Sequence, residues 1–218
     1  MKKILILIAA LAITIGAKAQ EKPFTYGLKA GMNLSHTTSG TTKILGETQS
    51  YNASGTAIGF FASGHFNYSF GEFVGIQPEL SFSMQGAKES EGNFSSSLTF
   101  NYINIPVLFE VKPMENLSIF VGPQVGFNIY RSMTNKKGDE SETLSGSDFD
   151  DRLKANDSKL NSFDFAAAVG LQYAIVGKYL ISARYNIGFN TVIGSNADEL
   201  SVSGGATRVF QFGFGYQF

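Results

Sequence analysis

The sequence contains no cysteine and no tryptophan, and it has few charged residues. Without cysteine the chain forms neither a disulfide framework nor a thiolate metal site. Charged residues make up 16% of the 218 residues, below the roughly 25% of an average soluble domain. The formal net charge of -1 gives no reason to expect nucleic acid as a partner. Glycine and phenylalanine are abundant instead, with 24 and 20 residues, which is unusual for a cytosolic protein.

The sequence also lacks an apolar run long enough to form a membrane-spanning helix. Its one continuous apolar segment, Ile4 to Gly16, follows a basic Met-Lys-Lys start and precedes the small-x-small sequence Ala17-Lys18-Ala19. This order is typical of a cleaved secretory signal peptide. We therefore predict a signal peptide over residues 1–19 and a mature domain over residues 20–218. A buried N-terminal strand or helix is the alternative interpretation.

Eight segments of the mature chain alternate apolar and polar residues with a period of two. The last segment ends the chain and carries an aromatic ring at every second position: Phe210, Phe212, Phe214, Tyr216 and Phe218. The other seven segments lie at residues 24–35, 60–70, 74–85, 98–111, 117–129, 163–175 and 179–190. A sustained period of two predicts β-strands. Their lengths exceed the roughly five or six residues of globular strands and suit a tilted strand that crosses a bilayer, which needs about 9–11.

The fourth segment has an irregularity in this alternation. Leu98, Phe100 and Tyr102 are out of phase with Ile103 and the apolar residues that follow it. An extra residue in one strand shifts the phase in this way, so we predict a β-bulge near Tyr102.

The connections between these segments alternate between short turns and long polar stretches. The short turns are residues 70–73, 113–116 and 177–178, and the long stretches are residues 36–54, 86–97, 131–161 and 194–206. Short turns at one end and long loops at the other are typical of outer-membrane barrels. We therefore predict an all-β fold, an eight-stranded antiparallel up-and-down transmembrane β-barrel, in the outer membrane of a Gram-negative bacterium.

The composition of the two faces predicts which one meets lipid. The polar face consists mostly of glycine, serine, asparagine and glutamine, whereas a water-facing surface is rich in lysine and glutamate. Small polar residues fit the narrow lumen of an eight-stranded barrel, which side chains must fill. We predict a filled polar lumen and an outward apolar face with aromatic girdles. A soluble lipocalin-like barrel would have the opposite orientation.

Four charged residues of the lumen face lie at similar low to middle depths from the short-turn end: Lys29, Glu79, Glu110 and Arg184. Buried charges must pair. We therefore predict a lumen salt-bridge network of these four residues that seals the barrel against water and ions. A proton or ion path is the alternative interpretation.

The sequence contains no set of residues whose types and spacing match a known catalytic motif. His36 opens the first long stretch, His65 lies on a lumen face, and neither is tied to a nucleophile or an acid by a motif. The acidic run Asp148 to Asp151 lacks the glycine and the spacing of a calcium loop. We therefore predict no enzymatic activity, no cofactor and no metal site.

The sequence resembles a known family in two central segments, YINIPVLFEVKP (Tyr102 to Pro113) and GPQVGF (Gly122 to Phe127). They resemble hallmark segments of the PorT-like outer-membrane β-barrel family of Bacteroidetes. The stretches YGLKAGMNLS (Tyr26 to Ser35) and ARYNIGFN (Ala183 to Asn190) are similar to its first and seventh strands. The resemblance covers the chain from about Pro23 onward and implies a barrel, but no activity. The founding member of that family takes part in protein secretion across the outer membrane.

Family knowledge also assigns a role to the end of the chain. A terminal phenylalanine after alternating rings, here Phe214, Tyr216 and Phe218, resembles the signal that barrel-assembly machinery recognises. The predicted partners are therefore outer-membrane lipid and this machinery during biogenesis, with a secretion-system or extracellular protein as a further candidate. The predicted function is a non-enzymatic barrel that is structural or binds a partner or ligand through its long loops. An accessory role in secretion is the alternative, and an outer-membrane hydrolase using His36 is a distant one.

Overall fold

A computed structural model describes residues 23–37, 40–44, 47–51, 55–138, 140–155, 158–176, 178–191, 193–195, 200–203 and 206–218. The predicted signal peptide, residues 1–19, lies outside the described residues. The elements in chain order are β1 (Phe24–Thr37), β2 (Gly40–Ile44), β3 (Glu47–Tyr51), β4 (Ala57–Ser69), β5 (Val74–Glu91), β6 (Phe94–Met114), β7 (Leu117–Lys137), β8 (Glu140–Ser145), α1 (Ser147–Ala155), β9 (Ser158–Leu160), β10 (Phe163–Val176), β11 (Tyr179–Thr191), β12 (Ile193–Ser195), β13 (Leu200–Ser203) and β14 (Ala206–Gln217).

Eight of these strands form a closed antiparallel ring in the order β1-β4-β5-β6-β7-β10-β11-β14. The ring closes where β14 pairs with β1, with Gly31 opposite Gly213 at the centre of the register. The predicted eight-stranded antiparallel barrel is thereby confirmed. Among the residues described, no helix has the length and hydropathy that a membrane-crossing helix requires.

The two ends of the barrel differ in the length of their connections. Residues 70–73 and 115–116 make short turns at one end, whereas the opposite end carries the additional strands and α1. Short turns face the periplasm in outer-membrane barrels. We therefore name the two ends of the barrel the periplasmic end and the extracellular end.

The side chains of each barrel strand alternate between the lumen and the outer surface. Every strand exposes a large apolar residue on the outer surface: Leu28, Phe60, Leu80, Phe109, Val121, Leu171, Ile181 and Phe212. Every strand also buries an amide side chain in the lumen: Asn33, Asn67, Gln77, Asn104, Gln124, Gln172, Asn186 and Gln211. This arrangement is the one predicted from the alternation, with the apolar face turned toward lipid.

The predicted bulge near Tyr102 lies on the neighbouring strand instead. The β6–β7 register shifts where Asn101 faces Tyr130 and Tyr102 faces Asn128, which leaves Ile129 of β7 as the extra residue. Strand β6 itself keeps one alternation, so Phe100 and Tyr102 point into the lumen in phase with the polar residues of β6. Their apolar character suggested a change of phase because the sequence does not show what they pack against.

The long stretches predicted as loops contain strands in their described parts. β5 and β6 continue as a hairpin to a turn at Gly92, and β7 and β8 form another with a turn at Gly138. Both glycines have a positive φ, 56° and 59°, which L-residues rarely adopt. Strands β3, β2, β13, β12 and β9 form a second, five-stranded sheet. The extracellular end is therefore largely β-structure.

Substitution by arginine on the two faces of β7 tests the orientation of the barrel. Val121→Arg places a charge on the apolar outer surface, where it costs about 2–4 kcal/mol near the bilayer midplane. Ser118→Arg, on the same strand, places the same charge beside an open cavity of the lumen. We expect Val121→Arg to fold far less in vesicles than Ser118→Arg, measured by heat-modifiable electrophoretic mobility. Equal folding of the two variants would contradict the orientation.

Candidate functional site

A charged cluster in the barrel lumen is built around the carboxylate of Glu79 on β5. Its Oε1 atom accepts hydrogen bonds from Lys29 Nζ at 2.6 Å and from Gln77 Nε2 at 2.7 Å. The Arg184 guanidinium donates to both oxygens, from Nη2 to Oε1 at 2.6 Å and from Nη1 to Oε2 at 2.8 Å. We name Lys29, Gln77, Glu79 and Arg184 the Glu79 cluster. It connects β1, β5 and β11 across the lumen, and the Lys29 and Glu79 side chains are almost fully buried.

Glycines of β1 and β14 make room for long side chains of the lumen. A Cβ atom on Gly215 would lie 2.7 Å from Lys29 Cγ, and one on Gly27 would lie 2.6 Å from Cε1 of His65. Such contacts are far inside van der Waals distance, so the long side chains need glycine on the wall beside them. The glycines of the lumen face thus leave the space that its long side chains occupy.

Glu110, which the sequence analysis grouped with these residues, has different partners. Its Oε2 atom accepts a hydrogen bond from Asn67 Nδ2 at 2.6 Å and lies 3.5 Å from Lys112 Nζ. The structure thus brings Lys29, Glu79 and Arg184 into direct contact. Glu110, nearer the periplasmic end, is joined to them through Asn67, whose Nδ2 also donates to Gln77 Oε1 at 3.4 Å. Glu110 makes no direct salt bridge with these three residues, because similar depth along the barrel does not show which side chains meet.

A chain of buried amides lies on the extracellular side of the Glu79 cluster. Asn186 Nδ2 donates to Gln211 Oε1 at 2.9 Å, and Gln211 Nε2 donates to Asn33 Oδ1 at 3.0 Å. Asn33 Nδ2 in turn donates to Ser83 Oγ at 2.9 Å. This chain runs from β11 through β14 and β1 to β5 and so links the strands that also hold the Glu79 cluster.

On the side of the lumen formed by β6, β7 and β10, an apolar cluster lies among the buried polar residues, and the sequence analysis missed it. Leu108 on β6, Phe120 on β7 and Ala168 on β10 are buried against one another. Phe120 lies in phase with the lumen residues Ser118 and Gln124, so its position could have been found from the period of two. It was overlooked because an apolar residue on a polar face does not stand out in a sequence with 20 phenylalanines.

Helix α1 closes the extracellular end of the described lumen. Phe149 of α1 is buried against Phe100 and Tyr102, and Leu98, Met133 and Leu144 pack around these rings. The carboxylate of Asp150 forms a bidentate ion pair with the Arg131 guanidinium of β7. We name this arrangement the α1 plug.

The remaining candidate residues lie on three different elements, β1, β4 and α1. His65 is buried beside the Glu79 cluster, and neither ring nitrogen has a hydrogen-bond partner. His36 is half-buried and lies next to the last residue of β1. The acidic run Asp148 to Asp151 lies within α1, with two of its carboxylates in the first helical turn, a position that the helix dipole favours. Among the residues described, no group of three or more potential ligands could hold a metal ion.

The terminal aromatics lie on the outer surface at the periplasmic end of the β1–β14 seam. Phe218 stacks on Tyr26 of β1 with ring centroids 5.2 Å apart, and its N–H donates to the Tyr26 carbonyl. Tyr216 packs edge-on against Tyr179 of β11, and Phe214 stacks on the same ring. These rings join three strands in one aromatic belt, as at the interface of outer-membrane barrels. A role for Phe214, Tyr216 and Phe218 as an assembly signal stays a prediction.

Several solved outer-membrane proteins are similar to this chain at low sequence identity. Ail of Yersinia pestis is 16% identical, with 90% of this chain and 100% of that chain covered and a TM-score of 0.46. OprG from Pseudomonas aeruginosa is 17% identical, with 90% and 97% covered and a TM-score of 0.49. CarO of Acinetobacter baumannii is 10% identical, with 92% and 100% covered and a TM-score of 0.46.

The match to a protein family is more decisive. No curated protein matches the chain. The model of the outer membrane protein beta-barrel domain, however, matches residues 18–194, most of the sequence. The match covers seven of the eight strands of the closed ring described above. The chain therefore belongs to the outer membrane protein beta-barrel domain family, and its location is the outer membrane.

Proposed function

We propose that this protein is a non-enzymatic outer-membrane barrel with a sealed lumen, which binds an external partner through a rigid extracellular extension. The observation that carries the proposal is the length of two adjacent strands. β6 and β7 each have 21 residues, whereas β4 and β11 each have 13. The extra eight residues span about 26 Å along a strand that rises about 3.3 Å per residue. These are residues 94–101 of β6 and residues 130–137 of β7. Together with β8 they form the extracellular extension.

The surface of the extracellular extension is suited to contact with a protein. A groove of about 420 Å³ lies between Phe94 of β6 and charged residues of both signs on the β7–β8 hairpin: Lys136, Lys137, Glu140 and Glu142. The rings of Phe94 and Tyr130 are about half exposed. Exposed aromatic rings beside mixed charges are typical of the centre and rim of protein interfaces.

The extension is held in one conformation by the α1 plug. The ring of Phe149 packs against Phe100 and Tyr102, where the extension joins the barrel. The Arg131–Asp150 ion pair holds α1 against β7. A pre-ordered surface loses less conformational entropy on binding than a mobile loop does. This order favours recognition of a partner over a merely structural role.

The sealed lumen is supported by the two halves of the barrel interior. The Glu79 cluster fills the side formed by β1, β5 and β11, and the apolar residues Leu108, Phe120 and Ala168 fill the side formed by β6, β7 and β10. Eight-stranded barrels have interiors that side chains can fill completely. A filled interior of this kind opposes the passage of ions.

An accessory role in protein secretion is the second candidate function. The PorT-like segments Tyr102 to Pro113 and Gly122 to Phe127 favour it, since the founding member of that family takes part in secretion. Such a role would act through contacts at the periplasmic end, where the short turns lie. Membership of this finer, Bacteroidetes family stays a prediction.

Site-specific photo-crosslinking in intact cells separates the two candidates. A crosslinking residue replaces Phe94 at the extracellular extension or, as the matched control, Glu115 at the periplasmic turn. We expect reproducible crosslinks to an added or surface-bound partner from position 94, and an unchanged secreted proteome when the gene is deleted. Crosslinks to secretion components confined to position 115, with loss of secreted proteins on deletion, would replace the first proposal with the second.

The Glu79 cluster predicts an unequal response to removal of its charges. Glu79→Gln leaves Lys29 and Arg184 buried without a carboxylate, and breaking a buried ion pair in this way costs about 3–5 kcal/mol. Lys29→Met leaves the bidentate Arg184–Glu79 pair intact, so we expect a clearly smaller loss. Denaturant titration of the barrel in lipid vesicles measures both free energies of unfolding. An equal loss in the two variants would contradict the central role of Glu79.

Conductance recordings of the wild-type protein in planar bilayers test the seal. We expect no large steady conductance from the wild-type protein, because both halves of the lumen are filled. A large steady conductance of the wild-type protein would contradict the sealed lumen.

The α1 plug predicts local opening without loss of the barrel. Phe149→Ala removes the ring that holds α1, and truncation of a buried phenylalanine costs about 3–5 kcal/mol. Because α1 lies outside the barrel ring, we expect faster hydrogen exchange in Ser147–Ala155 and an unchanged heat-modifiable transition. The exposed residue Asp148, substituted by asparagine, is the control. Unfolding of the whole barrel by Phe149→Ala would show that α1 is part of the barrel core instead.

A further inference from the structure

The periplasmic end of the lumen contains a cavity that the proposed function does not use. Its volume is about 350 Å³, and all eight strands of the barrel ring contribute to its wall. Gln77 and Leu180, both almost fully buried, lie at its inner end, and Asn116 and Lys178 of the short turns lie at its mouth. The volume is within the range of about 300–1,000 Å³ that small-molecule sites occupy.

The wall of this cavity is rich in groups that both donate and accept hydrogen bonds. Five amide side chains border it, those of Asn67, Gln77, Asn116, Gln172 and Gln217, together with two hydroxyl groups. An amide offers a carbonyl acceptor and two N–H donors in one plane. The bordering charges are two lysines and two glutamates, which cancel formally, and Glu110 and Lys112 already form an ion pair. The wall therefore gives no net preference for an anion or a cation.

Two side chains that border this cavity have an acceptor atom without a hydrogen bond in the described structure. Gln172 is 7% exposed, and its Oε1 atom has no hydrogen-bond partner in the described structure but points away from the open space, so the amide must turn to present it to the cavity. Glu110 is 3% exposed, and its hydrogen bond from Asn67 and its contact with Lys112 are both at Oε2. Buried polar groups in proteins nearly always have a partner, so a buried acceptor beside a cavity indicates a missing donor.

From these observations we infer that the cavity binds an uncharged, polyhydroxylated ligand of mono- or disaccharide size. Such a ligand supplies O–H donors to Glu110 Oε1 and, after the amide turns, to Gln172 Oε1, and it accepts hydrogen bonds from the amide groups and Ser118. A free ammonium or carboxylate would instead compete with the existing Glu110–Lys112 pair. The site faces the periplasm, at the opposite end from the extracellular extension, and does not depend on the proposed function.

Calorimetry on the full chain refolded in detergent micelles tests this site. The probes are maltose and N,N′-diacetylchitobiose, with glutamine, putrescine and phosphate as zwitterionic, cationic and anionic comparisons. We expect saturable binding of at least one of the two sugars and no comparable binding of the three charged probes. Stronger binding of the N-acetylated sugar would identify a cell-wall glycan as the source, and stronger binding of maltose a free sugar. Tighter binding of a charged probe, or no saturable sugar binding, would overturn the inference.

Matched glutamine variants locate the binding to the cavity. Gln172→Leu keeps the size of the side chain but removes its acceptor, so sugar affinity should fall about fivefold or more, as expected for one lost hydrogen bond. Gln124→Leu makes the same change at a buried lumen position outside the cavity and should leave the affinity unchanged. Heat-modifiable mobility confirms folding, and Ser118→Ala replaces Gln172→Leu if the latter does not fold. Equal losses at positions 172 and 124, or no loss at the cavity, would overturn the site.

Discussion

Closure of the backbone hydrogen-bond ladder is the constraint on which the rest of this structure depends. Hydrocarbon offers no partner for an unpaired N–H or C=O group, so a sheet that crosses a membrane must have no free edge. Strand β14 meets this requirement by pairing with β1 over eleven positions, from Gly27 opposite Gln217 to Thr37 opposite Thr207. Once the ring is closed, alternate side chains must face either lipid or a narrow interior. The alternation seen in every barrel strand is the consequence.

The narrow interior then imposes a problem of space as well as of charge. Eight strands leave a lumen only wide enough for side chains, and some long side chains fit only because the residue beside them on the neighbouring strand is glycine. Lys29 beside Gly215 shows this directly. The interior resolves the charge problem by placing four donors on the Glu79 carboxylate, from Lys29, Gln77 and Arg184. On the side formed by β6, β7 and β10, the apolar residues Leu108, Phe120 and Ala168 take up part of the interior without adding charge.

Features that depend on a local period were predictable from the sequence, whereas features that depend on contacts across the lumen were not. The strands and their two faces follow from alternation, which each segment shows by itself. Glu110 was grouped with Lys29 because they have similar depth, but its direct partners are Asn67 of β4 and Lys112 of its own strand β6. Phe100 and Tyr102 suggested a bulge because their partner, Phe149, lies more than forty residues later in a helix that the sequence analysis did not predict.

The two ends of the lumen therefore differ in their chemistry. At the extracellular end, Phe149 fills an apolar space that would otherwise receive an apolar group, and at the periplasmic end the cavity remains polar. The Glu79 cluster lies between them and is held by hydrogen bonds from three strands of a closed ring. Coupling between distant sites requires an element with two discrete arrangements, and a carboxylate with four short hydrogen bonds has one arrangement. The two proposed binding surfaces should thus act independently, and a partner at the extracellular extension should leave the periplasmic cavity unchanged.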